Sequence, residues 1–130
     1  MISVPITDLN LNLDENDNCD LMLSCHTTNG FLVIDAEGML EETTVGCFNE
    51  FIRESLPSAT PIVVLDMSRI RYVDNEGFGA LIHFQMKLME SSCKLVLLAC
   101  QKSTLEALKL TRLGMLLPSY PTLSAIPEHP

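Results

Sequence analysis

The chain has 130 residues, 47% of them hydrophobic and 19% charged, which suits one soluble domain long enough to bury a core without metal or disulfides. A formal net charge of −9 excludes phosphate-backbone binding, because the eight Lys and Arg are scattered and Arg69 with Arg71 makes no patch. No apolar run is long enough to span a bilayer, and Met1-Ile2-Ser3-Val4-Pro5 lacks the regions of a secretion signal. A cytoplasmic protein without membrane insertion is expected.

Residues 1–18 mix Asp, Asn, Glu and Leu without a sustained period and read as a flexible acidic lead-in. The folded domain is expected over 19–126, with a short tail at 127–130. Leu21, Leu23 and Cys25 alternate with Met22, Ser24 and His26, the pattern of a half-buried strand. Asn29-Gly30 signals a hairpin turn, and Phe31 to Ala36 should return antiparallel. Glu37-Gly38-Met39-Leu40-Glu41 then leads into a helix with Val45, Phe48, Ile52 and Leu56 on one face.

Ser58 to Pro61 break that helix before a buried strand, Ile62-Val63-Val64-Leu65, which is expected to end at Asp66. After a short basic connection, a long helix runs from Asn75 to about Ser91. Its spacing turns Phe78, Leu81, Ile82, Gln85, Leu88 and Met89 to the sheet and leaves Glu76, His83, Lys87 and Glu90 in solvent. Lys94 to Ala99 is a second buried strand. Ser103 and Glu106 have the spacing of a capping box for a third helix that buries Leu105, Leu108 and Thr111 and ends at Gly114. A short strand at Met115-Leu116-Leu117 and a helical turn near Thr122–Ala125 close the domain. The fold class is therefore α/β, a mixed sheet of four to five strands with an opening antiparallel hairpin, then parallel strands, packed with helices.

The start of the second helix holds the most chemistry. Unpaired N–H groups and the helix dipole favour an anion there, and Asp74 is placed to cap it while Glu76 adds a first-turn charge. Gly77 and Gly79 leave room for a close approach, either by the sheet beneath or by a partner above. The five cysteines form no CxxC, no paired metal spacing and no disulfide framework, so reduced, buried thiols, three of them small core residues, and no metal are expected. No cofactor motif is present.

The layout Val63-Val64-Leu65-Asp66-Met67-Ser68, followed by Tyr72-Val73-Asp74-Asn75-Glu76-Gly77-Phe78-Gly79-Ala80-Leu81, resembles the STAS domain of bacterial anti-sigma factor antagonists. Gly38-Met39-Leu40-Glu41 is similar to that family's Gly-x-Leu-Asp after the second strand, and Leu113 to Leu117 to its closing segment. The resemblance implies a non-enzymatic, protein-binding switch in a partner-switching pathway of transcription regulation. The implied partner is an anti-sigma factor or serine kinase-like protein, the implied contact surface is Glu41 with Asp74, Asn75, Glu76, Gly77, Phe78 and Gly79, and monomer or weak dimer are both open. In the family a serine follows the loop Asp and is phosphorylated by the partner. Here Asn75 holds that position and cannot be phosphorylated. Two consequences stay open: Asn75 keeps the domain binding-competent and kinase-insensitive, or Glu76 holds it in a form resembling the phosphorylated one. Ser68 is a substitute phosphosite candidate, although Asp-x-Ser also belongs to the strand-end pattern.

Three rivals remain. An enzyme would need partners for His26, His83 or His129, and no motif links them to a nucleophile. A receiver domain would use Asp66 as phospho-acceptor, but Asp35-Ala36-Glu37 is a poor match for the acidic pair it needs. A regulatory STAS subunit of a transporter ATPase or a signalling scaffold would have the same fold.

Overall fold

Asn29 and Gly30 both take positive φ, 51° and 82°, the geometry that lets a two-residue turn match the twist of its flanking strands. They join β1 (Leu21–Thr28) to β2 (Phe31–Leu40) in an antiparallel pair without register shifts. The computed structural model describes residues 20–55 and 60–127. The expected lead-in, Leu56, the start of the break at Ser58 and most of the tail lie outside those residues.

The elements then follow as α1 (Val45–Ser55), β3 (Ile62–Val73), α2 (Asn75–Met89), β4 (Lys94–Leu98), α3 (Lys102–Thr111) and β5 (Ser119–Tyr120). Sheet order repeats chain order, β1-β2-β3-β4-β5, and every pairing after the hairpin is parallel. This is the expected α/β mixed sheet. The three helices pack into one core on one face of the sheet, as parallel crossovers of a single hand that all step in the same direction require. There Phe48, Phe84 and Leu108 meet Ile34, Leu65 and Leu97 in the main core. Phe48 and Phe84 stack edge to face with ring centroids 5.9 Å apart. The opposite face buries Phe31, Val33, Ile62, Val64, Val96 and Leu98 with Ile126, which follows a short 3-10 turn at Leu123–Ala125. The helical turn expected near Thr122 is thus present, and the continuous apolar runs are buried on both faces.

Both β2 and β3 outrun their expected ends. β3 does not stop at Asp66: residues 69–73 go on pairing with Glu37–Leu40 of β2 across two register shifts. Beyond Leu98 no β4 residue accompanies β3, so this stretch exposes Ser68, Arg69 and Arg71 while burying Ile70 and looks like a loop by composition.

The helices shift in detail. Phe51, not Ile52, joins Phe48 as the deepest residue of α1. In α2, Phe84 is buried and Met89 is 58% exposed, because the buried stripe follows Gly77, Leu81, Phe84 and Leu88. The capping box does not form. α3 starts at Lys102 with Gln101 as N-cap and no side-chain cap bond, which leaves Ser103 inside the helix. Thr104 and Leu108 face inward, while Leu105 and Thr111 are exposed. Arg112, in the left-handed region at φ 64°, ends the helix in place of Gly114. The strand expected at Met115-Leu116-Leu117 does not form: residues 113–115 make a 3-10 turn and the last strand is Ser119–Tyr120. The buried Gln85 amide explains the displacement. It donates to the Leu95 and Leu116 carbonyls at 2.9 and 2.8 Å and accepts from the Leu95 N–H at 2.8 Å, so Leu116 is held by a side chain instead of a strand.

Candidate functional site

The β3–α2 junction is built around Asp74. Its backbone is extended, and its Oδ1 accepts the Gly77 N–H at 2.8 Å, closing the helix cap predicted for it. Its Oδ2 accepts the Glu42 N–H at 3.1 Å, and its own N–H donates to the Leu40 carbonyl at 3.1 Å. One carboxylate therefore serves two elements. It terminates α2 and clamps the β2–α1 connection against it.

That connection is itself rigid. The Glu41 carbonyl accepts the N–H groups of Thr44 and Val45, and the Glu41 N–H donates to Thr44 Oγ1 at 3.0 Å. Thr44, 2% exposed, donates its hydroxyl to the Met39 carbonyl at 2.8 Å. Glu41 is thus brought to the side of the α2 start, next to a residue that Asp74 holds.

The expected contact residues divide into two groups. Asn75, Glu76 and Gly79 are exposed. Gly77 and Phe78 are buried, and Phe78 belongs to the main core. A Cβ on Gly77 would collide with the Leu40 carbonyl oxygen and the Val73 side chain, so this glycine answers to the sheet beneath. A Cβ on Gly79 would meet nothing within 4 Å, so this glycine opens the surface above.

That opening leads into a groove of about 460 Å³ between α2 and α3. Tyr72, Asn75, Gly79 and Ile82 line one side, Ala107 and Leu113 the other. Tyr72 is 52% exposed. Ala107 and Leu113 are the contributions that sequence reasoning missed, since only folding sets α3 beside the first turn of α2. An aromatic two residues before the Asp74 cap was the available signal for Tyr72.

Ser68 lies elsewhere, mid-way along β3 and roughly 20 Å of extended chain before Asp74. Its N–H donates to Asp66 Oδ1 at 2.9 Å and its carbonyl accepts from Gln101 Nε2 at 2.9 Å. Asp66 is therefore a mid-strand residue engaged with its own neighbour. His26 Nδ1 lies 2.8 Å from Asp35 Oδ2 on the hairpin, also away from the α2 start. Burial pushes the Cys100 thiol up to about 11, and burial followed by the Asp35 charge raises that of Cys25, so both remain protonated at neutral pH and are poor nucleophiles. Among the described residues, no group of three or more His, Cys, Asp or Glu could hold a metal ion, and no helix is long and apolar enough to cross a membrane.

A strand, an Asp-capped helix with glycines in its first turn, and a sequentially ordered mixed sheet are the setting in which the comparisons fall. The family described as "Mlab, STAS domain" matches residues 27–118. The chain belongs to the STAS family. Among solved structures, this STAS domain is similar to an anti-sigma factor antagonist from Mycobacterium paratuberculosis, with 21% identity, a TM-score of 0.72, and coverage of 85% of this chain and 94% of that one. It is also similar to the Bacillus cell fate determinant SpoIIAA in its phosphorylated form, with 17% identity, a TM-score of 0.59, and coverage of 80% and 96%. A sulfate transporter family protein from Wolinella succinogenes matches at 16% identity and a TM-score of 0.65, over 76% and 83% of the two chains. At these identities the likeness is one of fold. No curated protein matches the STAS chain in sequence.

Proposed function

We propose that this STAS domain is a non-catalytic regulatory module of the anti-sigma factor antagonist kind, which binds a protein partner, such as an anti-sigma factor with serine kinase activity, at the α2 start. The observation that carries the reading is the α2 first turn. Asn75, Glu76 and Gly79 stand exposed at the mouth of a groove, while Asp74 and Gly77 are fully engaged in holding that turn in place. A surface kept rigid from below and left open above binds without first paying for its own ordering.

Asn75 sets the regulation. Its amide is uncharged, like an unmodified serine, and offers no hydroxyl to phosphorylate, so the site stays in its binding-competent form. Glu76 carries one charge on the adjacent residue, less than the −1.5 to −2 or so of a phosphate and displaced from its position. The partner face then carries basic or neutral groups opposite Glu41 and Glu76.

Glu76→Lys reverses that charge at an exposed position and leaves the fold intact. Capture of partners from the native cell should lose the specific partner with this variant. Recovery of the same partner at unchanged yield would refute the assignment. Incubation of wild type and Asn75→Ser with anti-sigma kinases of the same genome should label only the serine variant; labelling of wild type would point to another residue, with Ser68 the first to map. The Wolinella likeness supports a second reading, a regulatory subunit of a transporter. Capture of a transporter ATPase in place of a kinase would select it.

A further inference from the structure

The two edges of the sheet are not alike. β5 offers only two residues, Ser119–Tyr120, too few to template another strand. β1 pairs with β2 over eight residues in unbroken register, and no described strand flanks its outer side. Thr28 and Phe31 close the two-residue turn and so form the hydrogen-bonded pair beside it, after which bonded and non-bonded pairs alternate. Ser24, His26 and Thr28 therefore direct their backbone groups to β2. Leu23, Cys25 and Thr27 direct theirs outward.

This edge lacks the devices that usually block pairing. Leu21–Thr28 contains no Lys, no Pro, no acidic residue and no bulge. In a chain of net charge −9, most surface patches repel a second copy of themselves, and this strand does not. We infer that β1 is a self-association edge at which two copies of the chain pair antiparallel about a two-fold axis through Cys25. Residues opposite one another in an antiparallel pair share a face, and the bonded ones must both point outward. The register centred on Cys25 meets both conditions with Leu23 opposite Thr27 of the partner subunit and Cys25 opposite its own copy, and it asks nothing of Leu21. Two five-stranded sheets become one continuous sheet, and the groove between α2 and α3 stays clear of the junction.

A single strand pair buries little area, so the dimer is weak and concentration-dependent, with a dissociation constant in the range of about 10 µM to 1 mM. Sedimentation or light scattering of the full chain over that range should show the mass rising from 14.4 kDa toward twice that value. Cys25→Pro removes the central outward donor without touching the β1–β2 ladder and should weaken the dimer about tenfold or more. Thr27→Asp, at an exposed position, sets a carboxylate opposite Leu23 of the partner subunit and should act in the same direction. Amide exchange at Leu23, Cys25 and Thr27 should slow as concentration rises. A constant 14.4 kDa mass across the range, or a dimer that survives both variants, would overturn the inference. So would equal protection of the three amides at both ends of the range, which would mean that the chain covers its own edge.

Discussion

Helices α2 and α3 both begin where a parallel strand ends, yet their first turns are made in opposite ways. α2 is capped by a side chain that also grips a neighbouring connection, and a glycine presses its first turn onto the sheet. α3 has no side-chain cap, and its N-cap residue Gln101 bonds to the β3 carbonyl of Ser68 instead. The start that carries the candidate site is held by three elements at once. The other is held mainly by packing of Thr104 and Leu108. Side-chain anchoring is thus concentrated at the helix start where a partner is proposed to dock.

The contrast can be broken most severely at Gly77. Gly77→Ala drives a methyl group into the Leu40 carbonyl and should cost about 2–3 kcal/mol in urea unfolding, the upper range for overpacking. A cost below about 0.5 kcal/mol would show that α2 rides higher on the sheet than described. Asp74→Ala removes the cap and the Glu42 tether together and should cost about 1–2 kcal/mol, with faster amide exchange at Glu42 and Gly77. Gly79→Ala should move the other way, stabilising α2 by roughly 0.5–1 kcal/mol because its surroundings are open, while partner affinity falls as the groove mouth narrows. The smallest effect belongs to α3. Ser103→Ala should change stability by less than about 0.5 kcal/mol, and a loss of about 1 kcal/mol would restore the capping box that the structure lacks.

Local signals that tertiary contacts reinforce were legible in the sequence. Asn29-Gly30 set the hairpin, Asp74 marked the start of α2, and the apolar runs of β3 and β4 marked the centre of the sheet. Ser103-Thr104-Leu105-Glu106 carries an equally clear local signal that tertiary structure overrode. Thr104 is drawn inward, so the helix begins before the box can close. The far half of β3 was hidden because one exposed strand paired irregularly on one side has no clean period to read. At the site, the two glycines could be seen but not told apart, since only the fold sets the Leu40 carbonyl against Gly77 and empty space against Gly79. The α3 wall of the groove depends on contacts across some thirty residues of chain, which no local pattern encodes.

A sheet whose spatial order repeats its chain order has a consequence for how the molecule comes into being. Each strand pairs with the one made just before it, so no pairing in the sheet waits for more than one intervening connection. β1 and β2 can zip as soon as their turn is formed, and β3, β4 and β5 add in the order of synthesis. The entropy of loop closure is met one crossover at a time instead of in one long closure, and the hairpin is the local step while each parallel pairing must wait for a whole crossover. The β3–α2 junction is complete once the second crossover is made, before α3 arrives to wall the groove. The proposed binding surface therefore matures late, on central strands that are already in place.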